Sequence, residues 1–501
     1  MKCGLFLLLL SFATLGSKAI KRDDFPEDFV FGSGTSAYQV EGAAAEDGRT
    51  PSIWDSFVSY GYGNGSGDVA SDGYHKYKED VKLMAEMGLA AYRFSISWSR
   101  LIPNGRGDIN PKGLEFYNNL IDELVSHGIQ PHVTLSHFDY PQLLQDEYGG
   151  WLNRRIVDDF TAFADVCFSK FGDRVSHWVT INEANMVGIN GFGLGSVPPG
   201  RCSHPYGNCS SGNSIFEPYI VAHHVLLAHS SVVSLYRSKY QGSQRGSIGL
   251  NLIIFHFEPK SNSTADQHAG ERAWDFFVDW MLEPLTHGDY PETIKKAAGF
   301  KLSKFSHDES DQLVGAFDFI GLNYYAVLDV EDCPNDLPPY QRDVMGDMSA
   351  SLPGFQKKGM PSKPQTLERA ASGLRAVLEK MKQRYNNPTI YIHENGLPLK
   401  HDGSFNDTNR VKHFIAHLES LHDAMRNGSD TRGYFTWSFV DVLELFQGYE
   451  ASFGLYYVDF NDKERRRYPM LSSQWYSNFL KRGQNMFGKF ESFSEPQSMA
   501  I

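Results

Sequence analysis

The chain has 501 residues, of which 41% are hydrophobic and 14% aromatic, so it is long enough to bury a large core. Its formal net charge of -13 at pH 7 argues against a nucleic-acid partner and against binding to an anionic membrane surface. Length alone would suggest about three domains, but barrel folds routinely exceed that expectation as single units.

The first segment has the pattern of a secretory signal peptide. Lys2 precedes an apolar run from Leu5 to Leu10, and Ser17-Lys18-Ala19 forms a small-x-small cleavage pattern. We therefore expect residues 1–19 to be removed. The mature chain, residues 20–501, would enter the secretory pathway and reach the extracellular space or the vacuole. No later run is long and apolar enough for us to expect a membrane span.

Cysteines and glycosylation tripeptides fit the same compartment. Cys202 and Cys209 close a short loop, where a local disulfide is the natural interpretation in an oxidising environment. Cys167 lies in an apolar helical pattern, and Cys333 has no evident partner. Five Asn-x-Ser/Thr tripeptides lie in polar, turn-like contexts and are candidate glycosylation sites: Asn64, Asn208, Asn262, Asn406 and Asn427.

Short apolar runs alternate with amphipathic stretches along the rest of the chain. The runs predict eight strands: Phe29–Val40, Ala91–Trp98, Gln130–His137, His177–Glu183, Ser247–His256, Phe317–Tyr325, Thr389–Glu394 and Gly433–Phe439. The stretches between them predict helices: Pro111–His127, Asn153–Phe171, Ile215–Tyr240, Ala265–Leu282, Leu374–Tyr385 and Thr408–Arg426.

This alternation predicts an α/β fold with a parallel sheet and crossover helices. Eight such units favour a closed (β/α)8 TIM barrel, a single domain over residues 20–501 with long loops on its C-terminal face. A doubly wound sheet is the competing fold. That fold would require a glycine-rich phosphate-binding loop after its first strand. Glycines occur in Phe31-Gly32-Ser33-Gly34-Thr35, but the segment that follows lacks the rest of that pattern.

Polar residues occur consistently at the carboxyl ends of the predicted strands. In a barrel, chemistry comes from the carboxyl ends of the strands and from the loops after them. The irregular stretch Asp329–Pro364 is too long for an ordinary connection, so we expect it to line the same site. The polar strand-end residues are as follows: Gln39, Glu41, Arg93, His137, Asp139, Asn182, Glu183, Asn323, Tyr325 and Glu394.

Two of these residues, Glu183 and Glu394, are carboxylates that each end an apolar strand beside an asparagine. Cleavage of a glycosidic bond needs a carboxylic acid to protonate the leaving oxygen and a carboxylate to attack the sugar or to activate water. Arg93 or Tyr325 could hold one of the two ionised. Each glutamate alone could instead serve a structural ion pair or a turn, so the hypothesis depends on their combination.

A sugar also needs polar partners for its hydroxyls and an aromatic face for its C–H surface. Gln39, His137, Asn182 and Glu444 could supply the polar contacts. Trp437 and Phe453 could supply the aromatic ones, although Trp437 could equally be a core residue. No histidine or cysteine cluster near the strand ends has metal-site spacing, so we expect neither a metal nor another cofactor.

The sequence resembles glycoside hydrolase family 1, the β-glucosidase family of retaining enzymes, from about Phe25 to about Lys481. Two further sequence segments are similar to those of its plant branch: Gly149-Gly150-Trp151-Leu152 and Pro198-Pro199-Gly200-Arg201-Cys202. The remaining motifs resemble the acid/base, nucleophile, N-terminal and other family signatures: Thr180-Ile181-Asn182-Glu183, Ile392-His393-Glu394-Asn395-Gly396, Tyr38-Gln39-Val40-Glu41-Gly42-Ala43, Arg93–Trp98, Gly321-Leu322-Asn323-Tyr324-Tyr325 and Phe453-Gly454-Leu455-Tyr456-Tyr457-Val458-Asp459.

The resemblance implies a role for each candidate residue. Glu183 would be the acid/base, and Glu394 would be the nucleophile that forms a covalent glycosyl-enzyme. Arg93, Asn323 and Tyr325 would position and ionise Glu394. The substrate, a small β-glycoside or oligosaccharide, would contact a larger set of side chains: Gln39, His137, Asn182, Tyr325, Trp437, Glu444 and Phe453.

The chain departs from the family pattern at four positions. Ala184 stands where proline is usual, and His393 replaces the commoner threonine before the nucleophile. Phe138 and Leu445 stand where many members have tryptophan, and Leu445 cannot offer an indole N–H to a sugar hydroxyl. Glucose preference and the leaving group are therefore the properties that these departures affect.

We consider three functions. The first is a secreted retaining β-glucosidase. The second is a transglucosidase that passes glucose from an acyl-glucose or another activated donor to an acceptor, with the same two glutamates. The third is a carbohydrate-binding pseudoenzyme, which would predict the loss of Glu183 or Glu394, and both are present.

Overall fold

The computed structural model describes residues 20–353, 355 and 365–482, and the expected signal peptide lies outside them. Eight parallel strands form a closed barrel in which each strand pairs with the next and β1 pairs with β8. The predicted TIM barrel is therefore confirmed. The strands have the following bounds: β1 Val30–Gly34, β2 Ala91–Ser95, β3 Gln130–Ser136, β4 His177–Ile181, β5 Ser247–Ile253, β6 Phe319–Asn323, β7 Ile390–Asn395 and β8 Thr431–Trp437.

A helix follows each strand. Helix α5 continues through a π-helical turn, Asp275–Asp279, into a further helix, Trp280–His287. Helices α1 and α8 were not among the helices predicted from sequence. The helices have the following bounds: α1 Gly73–Met87, α2 Pro111–Ser126, α3 Arg155–Phe171, α4 Glu217–Leu235, α5 Thr264–Trp274, α6 Leu367–Arg384, α7 Thr408–Arg426 and α8 Leu471–Leu480.

Helix α2 shows how local sequence sets these elements. Its N-cap residue Asn110 accepts a hydrogen bond from the Lys112 backbone N–H, and Pro111 occupies the first turn, where a missing N–H costs nothing. The residues that repeat at helical spacing are buried on one face. That face packs on the barrel through Phe116, Tyr117, Leu120, Ile121 and Leu124.

The predicted first strand, Phe29–Val40, is too long. Strand β1 ends at Gly34, and Ala37–Val40 forms one helical turn. All four residues of that turn are buried, so the apolar pattern alone could not separate strand from helix. The Ser95 hydroxyl accepts the Ala37 backbone N–H at 2.7 Å, which fixes the start of the turn above β2.

The segment after β6 is partly regular. Val327–Asp332 pairs with His256–Pro259 and with Ala350–Ser351, and Val344–Met348 is a short helix. Asp347 holds that helix in place, because its buried carboxylate accepts the Tyr219 hydroxyl at 2.5 Å and also contacts Lys301. Residues 354 and 356–364, in the stretch expected to line the site, lie outside the described residues.

The ends of the described chain meet where the barrel closes. Phe479 of α8 packs edge-on against Phe25 and Phe31, with ring centroids 6.3 and 5.2 Å apart. The Arg482 guanidinium lies 3.0 Å from the Glu27 carboxylate. The N-terminal segment thus lies against α8 at the start of β1, on the side of the barrel opposite to the carboxyl ends of the strands.

Three histidines lie inside the barrel below the strand-end residues, in what we call the lower region. His132 stacks on His177 with ring centroids 4.1 Å apart, and His393 lies edge-on to His132 at 6.0 Å. The ring nitrogens of His132 and His393 have no hydrogen-bond partner within residues 20–353, 355 and 365–482. Burial lowers the pKa of both rings well below the usual range of an imidazole, so the cluster is neutral.

Three surface and segment predictions can be placed on this fold. Cys202 and Cys209 form a disulfide, while Cys167 is buried and Cys333 is exposed. All five asparagines of the glycosylation tripeptides are exposed. One helical segment, Glu217–Gln244, is long and apolar enough to cross a membrane, contrary to our expectation, but 72% of its most apolar window is buried inside the fold.

Candidate active site

Glu394 lies near the end of β7 and is buried at the carboxyl end of the barrel. Its Oε1 accepts a hydrogen bond from Arg93 Nη1 at 2.5 Å, and its Oε2 accepts one from the Tyr325 hydroxyl at 2.8 Å. Burial and the charge of Glu394 raise the pKa of Tyr325 well above its usual range, so the phenol keeps its proton and donates. Two donors therefore hold a carboxylate anion in one orientation.

Glu183 follows β4 in a left-handed backbone conformation, with φ of 43°. Asn323 Nδ2 donates to its Oε1 at 2.9 Å. Burial, and next the negative charge of Glu394, raise the pKa of Glu183 to about 8, although Asn323 and Arg93 act in the opposite direction. Glu183 is therefore protonated at neutral pH in the free protein, while Glu394 is the anion nearby.

Arg93 connects the two glutamates. Its second nitrogen, Nη2, donates to Asn182 Oδ1 at 2.6 Å, and Asn323 Nδ2 lies 3.3 Å from the same oxygen. Because a guanidinium can only donate, the Asn182 oxygen must face Arg93 and its amide nitrogen must face His137 Nε2, which lies at 3.2 Å. Asn182 therefore joins the Arg93–Glu394 pair to Glu183 and to His137.

The Asn182 amide also fixes the tautomer of His137. Since Asn182 Nδ2 donates, His137 Nε2 accepts and the proton lies on Nδ1. Burial and the nearby Arg93 lower the pKa of His137 well below its usual range, which keeps the ring neutral. Behind it, Asp139 accepts the His137 backbone N–H at 3.2 Å, and burial raises the pKa of Asp139 to about 7.

The expected sugar-binding side chains surround this network. Trp437, the last residue of β8, donates its indole N–H to Glu444 at 3.0 Å, and its ring lies parallel to His137 with centroids 6.0 Å apart. Burial raises the pKa of Glu444 to about 8. Gln39 donates to the Leu443 carbonyl at 2.8 Å, immediately before Glu444.

Phe453 packs edge-on against Tyr325, with ring centroids 6.2 Å apart. The structure thus brings all of the expected site residues to the carboxyl end of the barrel. One of them has a different neighbour from the one we expected. Asn323, grouped with Arg93 and Tyr325 as a support of Glu394, is in register with Glu394 on the neighbouring strand β7, but its side-chain amide donates to Glu183.

Asn251 was not among the site residues predicted from sequence. This buried side chain on β5 donates from Nδ2 to Asn323 Oδ1 at 2.8 Å, and its Oδ1 accepts the backbone N–H of Glu183 at 3.0 Å. Asn251 lies inside the strand and not at its end, so the strand-end rule did not select it. The available signal was a single amide in a strand whose other buried residues are apolar or glycine.

Three residues that differ from the family pattern are chain neighbours of the acid/base or of sugar-binding side chains. Ala184 is buried and begins the short helix Ala184–Gly188 directly after Glu183. Phe138 has a left-handed backbone, with φ of 66°. Phe138 and Leu445 are half-buried against an apolar cluster that includes Tyr38, Trp54 and Leu443.

The described residues contain no group of three or more His, Cys, Asp or Glu side chains that could hold a metal ion. The polar side chains at the strand ends form hydrogen bonds with one another. The carboxylates face arginine, tyrosine and asparagine donors, which is an arrangement for acid/base and nucleophilic chemistry with side chains.

Comparison with known proteins agrees with this geometry. The chain is 53% identical to β-glucosidase 10 of Arabidopsis thaliana over 480 residues, covering 95% of this chain and 94% of that protein. It is 52% identical to β-glucosidase 22 of Oryza sativa subsp. japonica, with 92% of this chain and 88% of that protein covered.

Solved structures show the same similarity. A rice Os3BGlu6 β-glucosidase mutant, in a covalent complex with Glc from GA4GE, superposes with a TM-score of 0.87 and 43% identity over 92% of this chain and 99% of that chain. A β-glucosidase of the fungus Humicola insolens in complex with glucose gives a TM-score of 0.84 and 36% identity, with 91% of this chain and 98% of that chain covered. The model of glycosyl hydrolase family 1 matches residues 21–485. The chain therefore belongs to glycosyl hydrolase family 1.

Proposed function

We propose that the protein is a retaining β-glucosidase that hydrolyses terminal non-reducing β-D-glucosyl residues by double displacement. The observation that carries this proposal is the contrast between two linked carboxyl groups. Glu394 is held by Arg93 and Tyr325 as an anion, and burial beside it keeps Glu183 protonated. The β-glucosidase relatives support the choice of substrate class.

In the first step, Glu394 attacks the anomeric carbon and forms an ester bond as the glycosidic bond breaks. Glu183 gives its proton to the leaving oxygen, so the aglycone departs as a neutral alcohol or phenol. Arg93 and Tyr325 keep the attacking carboxylate in place. The covalent complex with Glc that is named for the rice relative is consistent with an ester of this kind.

The same two residues then exchange roles. Once Glu394 is esterified, its negative charge is gone, and that charge is one of the causes of the raised pKa of Glu183. The pKa of Glu183 therefore falls, and its carboxylate can take a proton from water as the water oxygen attacks the anomeric carbon. The ester bond breaks, Glu394 leaves as a carboxylate, and two displacements retain the β configuration.

The glucosyl unit would occupy the space between these groups and β8. We assign Gln39, His137, Asn182 and Glu444 to its hydroxyls. The Trp437 ring and Phe453 would face its C–H surface. His137 Nδ1 carries the ring proton and is buried without a hydrogen-bond partner within residues 20–353, 355 and 365–482.

The test is hydrolysis of an aryl β-glucoside by purified protein, followed by NMR of the first sugar released. We expect the β-anomer of glucose first. An α-anomer would contradict double displacement. Mechanism-based labelling with a 2-fluoro aryl glucoside should place the glycosyl ester on Glu394 in a peptide map, and labelling of another residue would contradict the site.

The second candidate function, transglucosylation, uses the same ester with an alcohol in place of water. The observation that favours considering it is the half-buried side chain of Leu445, which follows Glu444 and packs with Phe138 against the buried apolar cluster, because an apolar rim beside the site shelters an acceptor from water. Addition of an alcohol, or of an acyl-glucose donor with an acceptor, distinguishes the two. If the acceptor glucoside dominates in excess water, transfer is the main reaction.

We further propose that the protein enters the secretory pathway. The N-terminal pattern, the Cys202–Cys209 disulfide and the exposure of all five tripeptide asparagines support this proposal. Expression of the full chain in a plant cell, with and without residues 1–19, tests it. Secretion to the apoplast or delivery to the vacuole, and sensitivity to an endoglycosidase, should depend on the first segment.

A further inference from the structure

A closed ring of hydrogen bonds begins and ends at Glu183. The backbone N–H of Glu183 donates to Asn251 Oδ1 at 3.0 Å, and Asn251 Nδ2 donates to Asn323 Oδ1 at 2.8 Å. Asn323 Nδ2 then donates to Glu183 Oε1 at 2.9 Å. Three residues on three consecutive strands or their ends therefore link the backbone of Glu183 to its own carboxyl group.

The direction of this ring is fixed at its start. A backbone N–H can only donate, so the oxygen of the Asn251 amide must face Glu183 and its nitrogen must face Asn323. The Asn323 amide is then forced to present its oxygen to Asn251 and its nitrogen to Glu183. A second contact agrees, since Asn323 Nδ2 also lies 3.3 Å from Asn182 Oδ1, the atom that accepts from Arg93.

We infer that Asn251 is a positioning residue for the acid/base, which orients the Asn323 amide so that an N–H and not a carbonyl faces Glu183 Oε1. This inference rests on the proposed function. The N–H makes Oε1 an acceptor, so in the protonated state the acid proton lies on Oε2. Oε2 makes no hydrogen bond to the described residues, which leaves its proton available to the leaving oxygen.

An inverted amide would have the opposite effect. Its carbonyl would accept the acid proton of Glu183 and draw it away from the substrate. It would also withdraw a donor from the carboxylate that must act as the base in the second step. An N–H donor stabilises the ionised form, so its loss raises the pKa of Glu183.

The barrel makes room for this arrangement. Asn251 pairs in register with Gly321 of β6. A Cβ atom at position 321 would lie 2.9 Å from Asn251 Nδ2 and 2.4 Å from the ring of His393. A glycine on the neighbouring strand therefore lets the Asn251 side chain lie across β6 toward Asn323. Asn251 itself is fully buried, so the ring is closed to solvent at this point.

The test uses Asn251→Leu, which keeps the side chain's approximate volume but removes both hydrogen bonds. With an aryl glucoside of poor leaving group, we expect kcat/KM to fall roughly 10- to 100-fold, because a hydrogen bond to a charged group is lost. With a dinitrophenyl glucoside, which needs no acid, the fall should be within about threefold. The alkaline limb of the pH profile should move upward by about one pH unit.

Asn185→Leu is the matched control. Asn185 is also buried, but its amide nitrogen contacts only the carbonyl groups of Ile253 and Phe277. We expect this change to lower thermal stability without moving the alkaline limb. In the double variant Asn251→Leu/Asn323→Ala, the limb should lie where Asn323→Ala alone places it. A limb that does not move in Asn251→Leu, or shifts that simply add, would overturn the inference.

A measurement without substrate separates the two proposals. The infrared band of the protonated Glu183 carboxyl, assigned by its absence in Glu183→Gln, should disappear at a higher pH in Asn251→Leu than in the unaltered protein. A protein that cleaves no aryl β-glucoside but shows this shift would contradict the proposed function alone. An active protein without the shift would contradict the positioning role alone.

Discussion

Two adjoining regions of the barrel interior bury ionisable groups in different ways. In the upper region, at the carboxyl ends of the strands, hydrogen bonds to tyrosine and asparagine side chains link Arg93, Glu394 and Glu183. In the lower region, which adjoins it, His132 and His393 are buried with ring nitrogens that have no partner in the described parts of the chain. In the upper region, hydrogen-bond donors stabilise a buried carboxylate in its charged form. In the lower region, the buried imidazole rings lack hydrogen-bond partners and are neutral.

This difference separates the pH dependence of activity from that of stability. A raised pKa at Glu183 makes the protonated acid, and hence the reaction, sensitive to pH near 8. The lowered pKa values of the histidines make the fold sensitive to acid instead. Changes in the upper region should therefore alter rates, and changes in the lower region should alter the free energy of unfolding.

The largest effect on the upper region is expected from Glu394→Ala. Without the nucleophile no ester forms, and kcat/KM should fall by on the order of 10⁴-fold or more. The control is Glu41→Gln, which alters a buried glutamate paired to Arg100 at 2.9 Å outside the network. Undiminished hydrolysis by the Glu394 variant would contradict the site assignment.

Glu183→Gln should have the next largest effect, and the effect should depend on the leaving group. With poor leaving groups we expect a fall of roughly 10²- to 10⁴-fold, because general acid catalysis is lost. In the unaltered enzyme the first step needs protonated Glu183, so kcat/KM should fall as pH rises through about 8. That alkaline limb should vanish in the glutamine variant, and its persistence would assign the limb to another group.

Arg93→Met tests the link between the two carboxylates. It leaves Glu394 and Asn182 without a charged donor in a buried site, so we expect a loss of about 3–5 kcal/mol in the free energy of unfolding together with a large loss of activity. Arg100→Met, which breaks the buried pair with Glu41, is the control for the stability term. Comparable activity in the two variants would show that Arg93 is structural only.

The smallest effect should come from His132→Phe in the lower region. Unfolded imidazole titrates near 6.5, while burial holds the pKa of His132 well below that, so the unfolded state binds more protons as pH falls and stability decreases. Removing one such group should weaken this dependence below pH 6.5 by up to about 1.4 kcal/mol per pH unit.

Urea denaturation at pH 5 and pH 7 measures that slope. Val133→Ala, next to His132 and equally buried, is the control for simple destabilisation and should lower stability by similar amounts at both pH values. If the phenylalanine variant keeps the full acid dependence, His132 does not contribute to it. Activity near pH 7 should change little, because the reacting carboxyls lie in the other region.

All eight strands could be predicted from sequence because each is a buried apolar run bounded by polar residues. Apolar patterns did not predict the helix Gly73–Met87. Its only large apolar buried residues are Val81, Met84 and Met87, so tertiary packing and not a strong periodic pattern makes it a helix. The end of β1 was missed because a buried helical turn and a buried strand share one composition.

Strand-end position predicted most of the site, since parallel strands bring their carboxyl ends together. The neighbours of each side chain could not be predicted in the same way. That Asn323 faces Glu183, and that Asn251 reaches both, depends on the register of β5 against β6 and on the absence of a side chain at Gly321. Those are three-dimensional relations that a single amide in a strand does not reveal.

The meeting of Phe25 and Phe31 with Phe479, and of Glu27 with Arg482, has a practical consequence for handling the enzyme. Both described chain ends lie on the face opposite to the substrate entrance. A tag, a fusion partner or a covalent tether at either end should leave the entrance free. A short linker between the two ends should also permit circular permutation, with new termini placed in an exposed loop.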